Sequence, residues 1–73
     1  MLKKYSVTIR GHRTSLTLEP EFWNGLKSIA TRRKQSMAAL ITAVDNKRSE
    51  GENLSSALRL RVLNDLQERL RQT

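Results

Sequence analysis

Seventy-three residues suffice for one domain and not for two, and a core drawn from so short a chain is marginal by itself. The lack of cysteine excludes disulfides and thiolate metal sites, and a single histidine, His12, excludes a His-rich one, so no metal or other cofactor is expected. Fourteen lysines and arginines against seven acids leave a net charge of +7, and Lys3, Lys4, Arg10 and Arg13 all precede the first acid, Glu19, which points to a polyanion such as nucleic acid.

A second copy of the chain is the remaining way to enlarge the core. No apolar run approaches the ~20 residues of a membrane span. Tyr5 to Arg13 is polar and basic where a signal peptide carries its apolar region, so a cytoplasmic location is expected.

Residues Lys3 to Arg10 alternate, with Tyr5, Val7 and Ile9 on one face and Ser6, Thr8 and Arg10 on the other. Gly11-His12 suits a two-residue hairpin loop with glycine first. In that register Val7 faces Leu16 and Tyr5 faces Leu18. The competing reading is a flexible basic arm, and residues 1–12 are therefore read as an N-terminal arm or an extra outer strand.

The stretch Arg13-Thr14-Ser15-Leu16-Thr17-Leu18 organises the rest. Leu16 and Leu18 face a core on one side. Arg13, Ser15 and Thr17 offer a guanidinium and two hydroxyls on the other, which suits the edges of bases better than an apolar partner. The bland reading is the solvated face of an edge strand.

Pro20 is favoured at a first helical position, and Glu21 complements the positive end of the helix dipole. Phe22, Leu26, Ile29 and Ala30 form one buried stripe with Trp23 beside it, predicting a helix from Pro20 to about Arg33. Arg32-Arg33-Lys34-Gln35 breaks the period as a short basic turn. Ser36 is a good N-cap. Met37, Leu40, Ile41 and Val44 then predict a helix to about Asn46.

Residues 47–53 form a polar loop, and Ser55 with Ser56 is predicted to cap a third helix. Leu54, Leu58, Val62, Leu66 and Leu70 step by four, with Leu63 alongside. Arg59 projects near the middle of this stripe and must snorkel, pair with an acid or face a partner. Asp45 is the acid suggested.

One amphipathic strand leaves unpaired backbone groups along its edges. A second copy paired antiparallel about a two-fold axis completes it as a two-stranded ribbon, which fits the major groove of B-form DNA. Symmetry then predicts palindromic or repeated half-sites. The expected fold class is mainly α with one short strand region. The dimer core would contain Leu16, Leu18, Phe22, Trp23, Leu26, Leu40, Ile41 and Val44.

From Arg13 to Trp23, and again from Ser36 to Ile41, the chain resembles the ribbon-helix-helix proteins, the MetJ/Arc type of DNA-binding regulator. Gly11-His12-Arg13-Thr14-Ser15, Leu18 to Trp23, and Asn53 to Arg59 resemble a subgroup with a third helix. The resemblance implies a strand-helix-helix core over residues 13–48, with a loop and C-terminal helix over 49–73. It also implies a homodimer whose antiparallel ribbon is intermolecular, with Arg13, Ser15 and Thr17 contacting bases. Ser36 and Met37 match the helix start that holds a DNA phosphate, as free N–H groups there allow. Lys3, Lys4, Arg10 and His12 are further candidates for the DNA backbone. Two departures stand out: the turn before Ser36 lacks the glycine common in such families, and the third helix exceeds the minimal fold.

The leading expectation is a homodimeric, sequence-specific regulator of transcription, a repressor, that binds double-stranded DNA and forms possible higher assemblies on it. The alternatives are an antitoxin or protein-interaction module using the C-terminal helix, and non-specific nucleic-acid binding. An enzyme is not expected, because no Gly-rich phosphate loop, HExxH spacing or second histidine is present.

Overall fold

The computed structural model describes residues 1–72. Two strands, β1 (Lys3–Ile9) and β2 (His12–Leu18), form an antiparallel hairpin, followed by α1 (Pro20–Arg32), α2 (Met37–Lys47) and α3 (Leu54–Arg71). The hairpin turns at Arg10-Gly11, where both residues have positive φ (50° and 78°). This is the type I′ pattern, whose twist matches that of the strands and which favours glycine at its second central position. The expected Gly11-His12 loop is thus one residue too late. Tyr5 lies opposite Leu16 and Val7 opposite Thr14, rather than Leu18 and Leu16. Each strand keeps its apolar face, because the slip moves the pairing by an even number of residues.

Val7, Ile9, Leu16 and Leu18 cover Leu26, Ile29 and Ala30 of α1 and Leu40, Ile41 and Val44 of α2. Ala57, Leu58 and Val62 of α3 complete this core. Six of the residues expected in a dimer core, Leu16, Leu18, Leu26, Leu40, Ile41 and Val44, are buried within a single chain. Phe22 and Trp23 are half-buried at its margin. Trp23 stacks on Tyr5 with ring centroids 4.0 Å apart and planes 6° from parallel, fastening α1 to the hairpin.

α1 ends in a Schellman motif, with Gln35 N–H donating to Ala30 O and Lys34 N–H to Thr31 O. Lys34 occupies the left-handed position of that motif at φ 56°. A lysine therefore stands where glycine is usual, and the turn keeps its geometry. Ser36 caps α2 by accepting from Ala39 N–H at 3.0 Å.

α3 is capped by Asn53, whose side chain accepts from Ser56 N–H at 3.1 Å, and not by Ser55. The Ser55 hydroxyl instead donates to the Thr17 carbonyl of β2 at 2.8 Å. Arg59 pairs with Glu19 at 2.8 Å, not with the suggested Asp45. Asp45 is engaged by Arg10 and Arg48. α3 starts beside the head of α1 at Glu19–Arg59, passes Gly25 at Val62, and meets Arg32 at Asp65.

The leucines of α3 do not form one buried stripe. Steps of four residues advance about 40° each around a helix of 3.6 residues per turn, so Leu70 lies about 160° from Leu54. Leu58 and Val62 are buried, whereas Leu60, Leu63, Leu66 and Leu70 are 50%, 46%, 44% and 74% exposed.

Candidate nucleic-acid interface

The hairpin presents one polar face away from the helices. Alternation places Arg13, Ser15 and Thr17 of β2 on it, and the register sets them opposite Thr8, Ser6 and Lys4 of β1. All six residues are exposed. The face thus carries two cations and four hydroxyls, with no carboxylate and no apolar side chain.

Four of the seven acids, Glu19, Asp45, Asp65 and Glu68, pair with arginines away from this face. Arg59 holds Glu19, Arg32 holds Asp65 at 2.5 Å, and Arg71 holds Glu68 at 2.6 Å. Arg48 and Arg10 both hold Asp45 at 2.6 Å. The hydrogen bond from Arg59 lowers the Glu19 pKa below its ordinary value, that from Arg48 followed by Arg10 lowers Asp45, and that from Arg32 lowers Asp65. All three stay ionised at neutral pH, and their negative charge is matched locally. Among the described residues neither Lys4 nor Arg13 has an ion-pair partner, so the positive field of the outward face is not cancelled by contact.

The other expected contacts are dispersed. Arg10 turns to α2, donating to Asp45 and to the Asn46 side-chain oxygen. Lys3 and His12 belong to the alternation of Tyr5 and Leu16, so they leave the strands on the side of the helices while remaining exposed. Ser36 is exposed at the head of α2, and Met37 packs its side chain against the core. Ser6 and Thr8 were not among the expected contacts. Their alternation was visible in the sequence, but only pairing of β1 with β2 puts them beside Arg13 and Ser15.

β2 has one edge not covered by β1. A two-residue turn makes Ile9–His12 a hydrogen-bonded pair, and such pairs alternate along an antiparallel ladder. The backbone groups of Arg13, Ser15 and Thr17 therefore point away from β1, which is why the Thr17 carbonyl is available to Ser55. A groove of about 450 Å³ runs along this edge, bounded by Ser15, Thr17, Arg48, Asn53, Leu54 and Ser55.

The chain matches the family model of the ribbon-helix-helix domain over residues 2–66. It belongs to the ribbon-helix-helix family, whose members bind DNA and dimerise. No curated protein and no solved structure matches it at significance. The third helix lies largely inside the matched span, since α3 begins at Leu54 and the match ends at residue 66.

Among the described residues no helix is long and apolar enough to cross a membrane.

Proposed function

We propose that the protein is a homodimeric, sequence-specific regulator of transcription, a repressor, that works in the cytoplasm by placing a two-stranded ribbon in the major groove of DNA. The observation that carries this reading is the outward hairpin face, polar throughout and free of carboxylates, with Arg13 at one end in no ion pair among the described residues. The open edge of β2 pairs with its counterpart about a two-fold axis, giving a sheet in the order β1-β2-β2-β1. Arg13, Ser15 and Thr17 of both copies then read base edges, with Arg13 suited to the O6 and N7 acceptors of guanine. The head of α2 at Ser36 and Met37 holds a phosphate and fixes the register of the ribbon.

Selection from random duplexes tests this. The wild type is expected to recover a sequence with two-fold or repeated half-sites. Arg13→Ala is expected to lose about 1–3 kcal/mol at particular base positions and to relax preference there. Equal losses on selected and random DNA would leave only non-specific, charge-driven binding.

A second reading is favoured by the exposed leucines of α3. Leu63, Leu66 and Leu70 recur at helical spacing, as expected for a helix that seats a protein partner, which would make the chain an antitoxin. Replacing Leu63 and Leu66 by serine separates the two: an antitoxin loses its partner and keeps its DNA.

A further inference from the structure

The outward face is two rows deep in each chain, and of the second row only Lys4 is so far expected to touch DNA. Lys4, Ser6 and Thr8 stand on β1 opposite Thr17, Ser15 and Arg13. Neighbouring strands are about 4.8 Å apart. In the β1-β2-β2-β1 sheet the two outer strands are therefore separated by three spacings, about 14 Å. The major groove is about 12 Å wide and about 8.5 Å deep. The inner pair of strands enters it, but the outer pair meets its walls.

We propose that β1 is a phosphate clamp, with Lys4, Ser6 and Thr8 resting on the sugar-phosphate rims on either side of the groove while base reading is confined to β2. The inference rests on the ribbon reading and adds a division of labour to it. The side chains suit the task. Serine and threonine each bring one hydroxyl donor, which suits a phosphate oxygen where the outer strand lies against the rim. Lys4 supplies the charge, and no acid pairs with it among the described residues. Arg10, which would extend the row, is held by Asp45 and Asn46 on α2. The clamp therefore stops at Thr8.

The test titrates the full chain against a duplex recovered by selection and against a scrambled duplex, at several salt concentrations. Ser6→Ala and Thr8→Val are expected to weaken both duplexes several-fold by the same factor, and to recover an unchanged sequence on reselection. Valine keeps the β-branched shape, so strand preference is preserved. Thr8→Ser, which keeps the hydroxyl, is expected to restore binding. Lys4→Ala is expected to lower the slope of log K against log salt by about 1.8 per dimer, two lost contacts at about 0.9 each. An altered recovered sequence in Ser6→Ala or Thr8→Val, or an unchanged slope in Lys4→Ala, would overturn the clamp. If Arg13→Ala still relaxes base preference in that case, the ribbon reading survives alone; a wild type that binds no duplex overturns both.

Discussion

The Ser55 hydroxyl donates to the Thr17 carbonyl at 2.8 Å, tying the first turn of α3 to the strand that carries Arg13 and Ser15. Two consequences follow from one bond. It satisfies a backbone acceptor at the open edge of β2, and it fixes where that edge ends. Ser55→Ala removes the donor and is expected to destabilise the fold by about 1 kcal/mol. For a domain of this size that lowers the melting temperature by roughly 4–8 °C. Ser55→Thr keeps the hydroxyl and should retain most of the stability. Identical melting of the alanine variant and the wild type would show that the bond contributes nothing.

Gly25 of α1 faces Val62 of α3. A Cβ there would stand 2.7 Å from Val62 Cγ1 and 3.3 Å from Cγ2. Val62 is buried and β-branched, so it has little room to turn away. In an open helix, glycine to alanine gains about 1 kcal/mol. Here overpacking costs roughly 1–3 kcal/mol and outweighs that gain. Gly25→Ala is therefore expected to destabilise the wild type and to stabilise the Val62→Ala background. A double-mutant cycle by denaturant unfolding measures the change of sign. The same sign in both backgrounds would contradict the contact.

Lys34 holds a left-handed conformation at φ 56° in the turn between α1 and α2. A side chain there costs on the order of 1–2 kcal/mol. Part of that is returned when glycine is introduced, because glycine gives the unfolded chain more freedom. Lys34→Gly is expected to stabilise by about 1 kcal/mol, seen as a higher denaturant midpoint with an unchanged slope. Lys34→Ala keeps the Cβ and should bring no such gain. Equal midpoints for the glycine and alanine variants would refute the strain.

Much of the fold is legible in the sequence because its signals are local. The alternation from Arg13 to Leu18, Pro20 with Glu21, and Ser36 before Met37 mark the starts of β2, α1 and α2 within one residue. The errors arise where a tertiary contact outweighs a local preference. Arg10 is an unusual residue for a left-handed turn position, so Gly11 alone does not fix the register. Ser55 is as good a cap by composition as Asn53, but its hydroxyl is drawn to Thr17. Arg59 sits 40 positions from Glu19, and no periodicity links the two. The outward triad of β2 follows from parity alone, whereas the neighbouring row of Ser6 and Thr8 depends on β1 pairing with β2, which the alternation permits without requiring.

The central claim, that β2 reads bases from the major groove, is met most directly by methylation interference on a selected duplex. Methyl groups on guanine N7 project into the major groove, and those on adenine N3 into the minor groove. The account predicts that N7 methylation at guanines in both half-sites blocks binding, that Arg13→Ala removes this sensitivity, and that N3 methylation has no effect. Interference confined to adenine N3, or absent at every base of a duplex that still binds, would contradict it.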